Sequence, residues 1–476
     1  MFCGAMRTKR KNTMTGTSKE KIASLVEGQR EYFRSGVTLD VNFRLERLSD
    51  LARGIDKWQD KIYEALWEDL HKSREEAFLT EVSIVTGEIA NHKKHLRSWA
   101  RKKKRPTPMT LFPGSSYKVY EPLGNTLIVS PWNYPFQLLI NPLVGCISAG
   151  CTAILKPSPY VEKTSLAIQA MIEDTFDPRY VAVVQGHRDV NGELFSHRYD
   201  LIFLTGSPDL GRIAMTSAAK YLTPTVLELG GKSPCIVDSS ADIRKAAKRI
   251  AWGKTLNSGQ TCIAPDYLFV HKDVKEEFIA AFASAVRELH GEDVSGSPYY
   301  VHMVSDRAFD RVVGYMKDGK ILFGGHSDRE SRYIEPTLLG DVDPSSPVMQ
   351  EEIFGPVFPV MEFTHKEEVL SFVASREKPL AFYYFGSVPE GWDMISRSTS
   401  GGACINDTIM HIANSNIPFG GVGNSGMGSY HSERSFLAFS HERAVVKTPT
   451  WIDLKFRYMP YKLFGIIKKM LMLSAD

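Results

Sequence analysis

A thiol and a carboxylate occupy two short segments whose residue types could carry out acyl chemistry. Cys262 ends the turn Gly259-Gln260-Thr261-Cys262, and Glu228 lies at the end of the β-like run Thr225-Val226-Leu227-Glu228-Leu229, which breaks at a glycine pair. A thiolate attacks carbonyl carbon, and a nearby carboxylate can deprotonate the water that releases the resulting thioester. A single cysteine in an apolar setting is more often a small core residue. The hypothesis therefore depends on the residues that accompany the pair.

An amide side chain in a stiff loop is the first of these companions. Asn133 lies in Pro131-Trp132-Asn133-Tyr134-Pro135, directly after the strand-like run 126–130. The two prolines restrict the backbone of the loop, and the Asn133 amide could donate to an oxyanion. Taken alone, the segment would be interpreted as an asparagine turn.

Several other segments could together hold a dinucleotide. The run 153–156 ends in Lys156, and the run 201–205 leads into Gly206-Ser207-Pro208-Asp209-Leu210-Gly211. A glycine turn between a strand and a helix presents backbone N–H groups to a phosphate. The spacing is not G-x-G-x-x-G, so an ordinary turn is an equal alternative. Downstream, Glu352 could accept from ribose hydroxyls and Phe354 could hold a nicotinamide face; the alternative there is a solvated acidic pair.

Composition restricts the class of protein. The chain has 476 residues and a net charge of +3, which is too small to predict nucleic-acid binding. The six cysteines show no metal-ligand spacing and indicate a reducing, cytoplasmic setting, so no metal is expected. The basic N-terminal residues are not followed by an apolar signal-peptide segment. No apolar run approaches the roughly 18 residues of a membrane span.

The hydrophobic pattern predicts an α/β fold in two parts. Apolar residues at intervals of three and four predict a helix over 41–70. From residue 117 to 229, β-branched runs alternate with helical stretches, which is typical of βαβ units and a parallel sheet. The alternation restarts after Gly230, and this predicts a second α/β domain with Glu228 and Cys262 near the junction.

Taken together, these segments resemble the aldehyde dehydrogenase superfamily from about residue 19 to residue 447. The sequence 423–428, Gly-Asn-Ser-Gly-Met-Gly, followed by Tyr430-His431, resembles the class 3 branch, which includes fatty and aromatic aldehyde dehydrogenases. One departure is Pro159, where a family glutamate often contacts the adenosine ribose. The resemblance implies NAD as cofactor, and the departure makes NADP use possible.

The resemblance also implies a role for each residue. Cys262 would be the nucleophile, Glu228 the base that activates the hydrolytic water, and Asn133 the oxyanion donor. The implied cofactor contacts are Lys156, Gly206, Ser207, Gly211, Trp132, Leu229, Glu352 and Phe354. Three aromatic residues, Tyr134, Trp252 and Phe419, are expected to line an apolar tunnel for medium or long aliphatic aldehydes or for aromatic ones. Core packing is the alternative for these aromatics.

The implied organisation is a Rossmann-like NAD(P)-binding domain, a catalytic α/β domain and a small antiparallel oligomerisation arm. The predicted boundaries are 1–97 and 122–228 for the first, 229–424 for the second, 98–121 and 425–447 for the arm, and 448–476 for a C-terminal tail. Class 3 members are usually dimers, so a homodimer is expected. The lysine-containing apolar tail has three interpretations: packing on the dimer, covering the tunnel entrance, or peripheral contact with a membrane.

Three alternatives to the hydrolytic enzyme remain open at this stage. In a CoA-acylating aldehyde dehydrogenase, CoA takes the acyl group and no base is needed at Glu228. A catalytically silent scaffold on the same fold would be expected to lack Cys262 or Glu228, and both are present. A thiol hydrolase using Cys262 with His431 would leave the cofactor segments unexplained.

Overall fold

The computed structural model describes residues 16–454, 458–461 and 463–473. The start of the predicted first domain (1–15) and parts of the predicted tail (455–457, 462 and 474–476) lie outside the described residues. The helices in the described part of the chain are α1 (Lys19–Arg34), α2 (Val41–Leu70), α3 (Arg74–Ala77), α4 (Ser83–Ala100), α5 (Gln137–Ala149), α6 (Glu162–Thr175), α7 (Arg188–Ser196), α8 (Pro208–Ala219), α9 (Ile243–Thr255), α10 (Lys275–His290), α11 (Asp306–Tyr315), α12 (Pro347–Gln350), α13 (Lys366–Ala374), α14 (Val388–Ser396), α15 (Glu433–Ala438) and α16 (Phe464–Leu473).

The strands fall into three main sheets and one short hairpin. In chain order they are β1 (Lys103–Arg105), β2 (Ser115–Pro122), β3 (Asn125–Val129), β4 (Thr152–Lys156), β5 (Val181–Val183), β6 (Leu201–Thr205), β7 (Thr225–Glu228), β8 (Pro234–Val237), β9 (Tyr267–His271), β10 (Lys320–Phe323), β11 (Ser327–Asp328), β12 (Tyr333–Ile334), β13 (Thr337–Gly340), β14 (Val357–Phe363), β15 (Ala381–Phe385), β16 (Gly402–Ile405), β17 (Gly426–Met427) and β18 (Ser440–Lys447).

The first sheet has the order β17-β7-β6-β3-β4-β5 and is parallel except for β17. Strands β3, β4 and β6 are buried along their whole length, as expected for a parallel sheet covered by helices on both faces. The predicted helix over 41–70 is α2, with the same bounds. The predicted βαβ alternation is confirmed in this half of the chain.

The second sheet has the order β10-β13-β14-β9-β8-β15-β16, and β10 alone runs antiparallel to its neighbour. Its central strands β8 and β15 are fully buried. The predicted restart of the α/β pattern after Gly230 is therefore confirmed as a separate sheet. Among the described residues, no helix is both long enough and apolar enough to span a membrane.

The third sheet is the predicted small antiparallel arm, built from β1, β2 and β18. It uses only part of the segments predicted for it. Strand β17 instead pairs with β7 in the first sheet, where Gly426 faces Glu228 and has a φ of 143° that only glycine adopts readily. The exact domain boundaries remain predictions.

Candidate active site

The candidate site lies where the two large sheets meet. The residues that end β3, β4, β6 and β7 share the carboxyl edge of the first sheet, which is where open α/β sheets bind ligands. From the second sheet the contributions come from loops at the amino ends of β9 and β14. Glu228 ends β7, whereas Cys262 precedes β9. Residues far apart in the sequence therefore meet at one junction.

Cys262 follows a loop with an unusual backbone. The 3₁₀ turn Leu256–Gly259 contains Asn257 and Ser258, each with φ near 51°, and Gly259 at 71°. A left-handed conformation costs a residue other than glycine about 1–3 kcal/mol, so the surrounding structure must hold it in place. A side chain at position 259 would meet the carbonyl of Gly355 at 2.5 Å. The loop is therefore both strained and closely packed.

The electrostatics of Cys262 favour the neutral thiol in the free protein. Burial raises its pKa to about 12, and the Glu352 and Glu228 carboxylates act in the same direction. Hydrogen bonds from the backbone N–H groups of Cys262 and Ile263 act in the opposite direction. At neutral pH the side chain is therefore a thiol rather than a thiolate in the free protein.

Glu228 is a buried carboxylate in an apolar environment. Its side chain is 2% exposed, and neither carboxylate oxygen has a hydrogen-bond partner among the described residues. Burial raises its pKa well above the usual value. A carboxylate with a raised pKa and no internal partner is suited to exchanging a proton with a water molecule.

One cavity contains both Cys262 and Glu228. Its lining is mainly aliphatic and aromatic. The lining residues are Thr80, Ile84, Tyr134, Gln137, Leu138, Thr205, Glu228, Leu256, Thr261, Cys262, Ile263, Ile409, Ile412, Phe419 and Tyr430.

Two of the three predicted tunnel residues, Tyr134 and Phe419, line this cavity, and Trp252 does not. Trp252 lies on α9 and packs, partly buried, against the main core cluster. The sequence analysis missed most of the aliphatic lining. Ile409 and Ile412 come from a long loop without periodicity, so no sequence pattern marks them.

Asn133 is next to the Cys262 loop. Its Nδ2 donates to the carbonyl of Gln260 over 3.0 Å, two residues before the thiol. Its neighbour Tyr134 shares a hydrogen bond of 2.7 Å between its hydroxyl and that of Thr261. In the described part of the chain the Asn133 amide donates once, so its second N–H can still be a donor to an oxygen near the thiol.

Four of the predicted cofactor residues lie around the N-terminus of α8, the helix that follows β6 at the carboxyl edge of the first sheet. Ser207 caps α8 by accepting from the N–H of Leu210, and Gly206 donates to the carbonyl of Glu228 over 3.0 Å. Gly211 faces Leu229, whose side chain would lie 3.0 Å from any Cβ at position 211. The turn therefore places backbone at a helix N-terminus, which suits a phosphate.

Lys156 lies at the end of β4 and is 2% exposed. Its one hydrogen bond among the described residues is to the carbonyl of Pro157, at 2.7 Å. Burial lowers its pKa to about 8, and Asp189 acts in the opposite direction. A buried ammonium with two unused donors suits a polar ligand such as a ribose.

Glu352, Phe354 and Trp132 form a group on the other side of the junction. The Phe354 and Trp132 rings meet edge to face with centroids 5.3 Å apart, and Phe354 has a φ of 49°. Burial, followed by the charge of Asp266, raises the pKa of Glu352 to about 8. The Glu352 carboxylate lies directly against Gly230, where any side chain would collide with it. These residues and those around α8 and Lys156 fit a dinucleotide: glycine backbone, a buried ammonium, a carboxylate and an aromatic face.

Comparisons with known proteins agree with this arrangement. Residues 7–445 match the aldehyde dehydrogenase family. The chain belongs to the aldehyde dehydrogenase family. It is 42% identical to the dimeric NADP-preferring aldehyde dehydrogenase of Canis lupus familiaris, over 92% of this chain and 98% of that one. It is 40% identical to aldehyde dehydrogenase family 3 member B1 of Homo sapiens, over 90% and 93% of the two chains.

A solved structure extends the similarity to the whole fold. The substrate-bound state of Staphylococcus aureus AldH superposes with a TM-score of 0.93 at 41% identity, covering 94% of this chain and 99% of that one. The resemblance to class 3 is confirmed by such relatives. This aldehyde dehydrogenase is an NAD(P)-dependent oxidoreductase that oxidises aldehydes.

Proposed function

We propose that Cys262 is the acyl-carrying nucleophile of this aldehyde dehydrogenase and that Glu228 activates the hydrolytic water. The observation that carries the proposal is that both side chains line one cavity and that both Glu228 oxygens lack a partner among the described residues. An unpaired buried carboxylate is unfavourable for folding, so its presence beside a thiol supports a chemical role.

In this mechanism, the Cys262 thiolate attacks the aldehyde carbon and forms a tetrahedral adduct. The free N–H of the Asn133 amide and the backbone N–H of Cys262 donate to its oxyanion. Loss of the hydride from that carbon leaves the thioester on Cys262, and a nicotinamide held by the residues named below would supply the hydride acceptor. Glu228 takes a proton from water, whose oxygen attacks the thioester, so that the carboxylic acid leaves and the Cys262 sulfur is freed.

The cofactor contacts follow from the fit described above. Lys156 and Glu352 would each hold one ribose, and the N–H groups from Gly206 to Gly211 would face the pyrophosphate. Leu229 would pack against the turn beside Gly211. Trp132 and Phe354 would enclose the nicotinamide end, since their rings already pack edge to face.

The substrate class we propose is medium or long aliphatic aldehydes, or aromatic ones. The apolar lining of the cavity, with Ile84, Leu138, Ile409 and Ile412, supports it because each buried methylene of a substrate contributes about 0.8 kcal/mol. A panel of aldehydes should show kcat/KM rising from propanal to decanal. Succinic semialdehyde performing as well as decanal would contradict this substrate class.

Two variants make this test specific for the cavity. Ile412→Phe narrows the cavity and should lower kcat/KM for decanal about tenfold, with propanal changed about twofold or less. Trp252→Phe is the matched control outside the lining, and it should leave the chain-length profile unchanged. A profile that shifts with Trp252→Phe but not with Ile412→Phe would place the aldehyde elsewhere.

The alternative acceptor for the acyl group is CoA. The presence of Glu228 supports hydrolysis, since a CoA-acylating enzyme needs no base there. Product analysis with and without CoA should find the free carboxylic acid in both cases. Accumulation of acyl-CoA would favour the alternative. A hydrolase pairing Cys262 with His431 has no support, because the His431 ring stacks on Phe419 with centroids 5.4 Å apart and is not part of the cavity lining.

We also propose a homodimer that uses the antiparallel arm. Strand β18 is exposed along nearly all of its length, with Val445 and Val446 at the surface, and β16 is an edge strand of the second sheet. Unpaired strand edges are ready templates for another chain. The relative of Canis lupus familiaris is named as dimeric, which supports a dimer. Light scattering should give twice the chain mass, and Val445→Lys/Val446→Lys should shift it towards the monomer.

The C-terminal tail carries the last proposal. Its described part exposes large apolar side chains, among them Phe464, Ile466 and Met472, each at least 60% exposed. We propose that these side chains cover an apolar surface: the dimer, the tunnel entrance or a membrane. If the tail covers the dimer, truncation after Pro460 should lower the melting temperature. If it covers the tunnel entrance, truncation should alter KM for decanal. If it contacts a membrane, truncation should abolish salt-sensitive binding to anionic vesicles. A truncated enzyme unchanged in all three would contradict the proposal.

A further inference from the structure

A buried ion pair lies behind the two loops that carry Asn133 and Cys262. The Lys72 ammonium is 2.7 Å from a Glu81 carboxylate oxygen, and neither side chain is exposed to solvent. The ammonium also donates to the main-chain carbonyl of Asn133 over 3.1 Å and lies 4.2 Å from the centre of the Tyr134 ring. Lys72 therefore contacts the Asn133 loop at two consecutive residues.

Glu81 anchors the same loop one turn further on. Its second carboxylate oxygen accepts from the backbone N–H groups of Phe136, at 2.8 Å, and Gln137, at 3.2 Å. Glu81 lies in the π turn Phe78–Val82, within the helical segment that continues from α3 into α4. Such turns are rare and often lie at functional sites. The Lys72–Glu81 pair therefore holds both ends of the segment 133–137.

The Cys262 loop is tied to the same carbonyl. The Asn257 side chain donates to the Asn133 carbonyl and to the Gln260 carbonyl, each over 3.0 Å. The backbone N–H of Asn257 donates to Glu76 over 3.0 Å. Asn257 and Ser258 are the left-handed residues of this loop. The Asn133 carbonyl is thus the point at which Lys72, Asn257 and the strained loop meet.

Stability alone does not account for this arrangement. Removing two charges from water is unfavourable, and replacing a buried ion pair by neutral side chains is often neutral or stabilising. A strained backbone, in contrast, persists only where the surroundings hold it. The Lys72–Glu81 pair would supply that constraint. Its position is fixed by the mutual attraction of the two charges and by contacts with the Asn133 carbonyl, the Tyr134 ring and the Phe136 and Gln137 N–H groups.

We propose that Lys72 and Glu81 are positioning residues that fix the Asn133 amide relative to the Cys262 sulfur. This inference rests on the proposed roles of Asn133 and Cys262. The pair is not part of the lining of the cavity that contains Cys262; it acts through the main chain of residues 133–137. A displacement of the donor by about 1 Å would lower turnover about a hundredfold.

The test compares three variants of the full-length enzyme. Lys72→Met leaves the buried Glu81 carboxylate without its counter-charge and should lower both melting temperature and kcat. Lys72→Met/Glu81→Gln removes both charges but keeps an oxygen for the Phe136 N–H. It should recover most of the melting temperature while kcat and the burst of reduced cofactor stay about a hundredfold lower, with KM and NADH affinity within about threefold of wild type.

Asn257→Gly is a second, independent probe. Glycine accepts the left-handed backbone, so this change removes only the two side-chain hydrogen bonds, and kcat should fall about tenfold at a nearly unchanged melting temperature. Arg44→Met is the control for general destabilisation: Arg44 is buried, and within the described part of the chain its side chain donates only to the carbonyls of Thr38, Leu39 and Ser148. It should lower the melting temperature and leave kcat and the burst at wild-type level.

Wild-type kcat and burst in both Lys72→Met/Glu81→Gln and Asn257→Gly would overturn the positioning role. An equal loss of kcat in Arg44→Met would also overturn it, since destabilisation would then explain the effect. Failure of the proposed function is a separate result: it would appear as an active Cys262→Ser enzyme, whatever the Lys72 variants do.

Discussion

In front of Cys262 lies a cavity whose walls are mostly aliphatic and aromatic, whereas behind it lies a dense set of hydrogen bonds and a buried ion pair. The front contains few groups that require a particular geometry. The back includes Lys72, Glu81, Asn257 and Gln260, each with two or more polar partners. Apolar contact varies gradually with shape, but a hydrogen bond is lost within about half an ångström.

This difference suggests that the front determines the range of substrates and the back maintains the geometry of the reacting groups. The front can accept a range of aldehydes because its contribution is roughly proportional to the apolar area that the substrate buries. We expect the back to accept little variation, since a small shift there would move the Cys262 thiol and the Asn133 amide apart. Substitutions in front should therefore change which aldehyde is oxidised, and substitutions at or behind the thiol should change whether oxidation occurs.

The largest effect is expected at Cys262, where the two regions meet. Cys262→Ser should lower aldehyde oxidation by roughly 10⁴-fold, because a serine hydroxyl without a strong base is a poor nucleophile. NADH binding, measured by fluorescence, should be unchanged. Cys404→Ser is the matched control on β16 and should oxidise aldehydes normally. If Cys262→Ser stays within about tenfold of wild type, the nucleophile lies elsewhere.

The next largest effect is expected from Glu228, the most polar group of the front cavity. Glu228→Gln should lower steady-state turnover about 10²- to 10³-fold, since it removes the base for deacylation. A rapid burst of reduced cofactor should remain, because hydride transfer precedes the step that needs the base. Glu433→Gln, on the surface of α15, is the control. A mutant with full steady-state rate would remove Glu228 from the mechanism.

The pH dependence of Cys262 alkylation tests whether the pKa of this thiol is raised, as burial and the neighbouring carboxylates predict. The raised pKa of Cys262, about 12, means that the thiolate fraction of the free enzyme rises with pH. Its alkylation by iodoacetamide should therefore accelerate about tenfold per pH unit from about pH 7 to about pH 9, without a plateau. Glu352→Gln removes a negative charge that raises this pKa and should make alkylation faster at about pH 8. A plateau near neutral pH would indicate a thiolate already stabilised in the free enzyme.

The smallest effect is expected on the choice between NAD and NADP, which we test at Pro159, outside both the cavity and the hydrogen-bonded region behind Cys262. Pro159 follows β4 and the buried Ser158. Pro159→Glu should lower the NADP/NAD ratio of kcat/KM about three- to tenfold, because a carboxylate repels the 2′-phosphate at short range. The rate with NAD should change little. An unchanged ratio would mean that another residue sets the cofactor preference.

Local patterns were enough to predict the elements that carry the chemistry. The apolar spacing of α2 and the β-branched runs of β3, β4 and β6 appear in the structure with nearly the predicted bounds. These segments bury one face or both, so the spacing of their apolar residues and their content of β-branched residues indicate directly which side chains are buried. Cys262, Glu228 and Lys156 could be proposed for the same reason, because each ends or follows such an element.

The sequence by itself determined the two α/β halves and the residue types available for catalysis, and its resemblance to the family implied the antiparallel arm. Only the tertiary structure decided which of them meet. It placed Trp252 outside the cavity lining, brought Ile409 and Ile412 from an aperiodic loop into it, and moved β17 from the predicted arm to the edge of β7. It also joined Lys72 to Asn133 across 61 positions of the chain. Local periodicity reports burial within one element, whereas contacts between distant segments depend on how whole elements pack, and no local pattern encodes that packing.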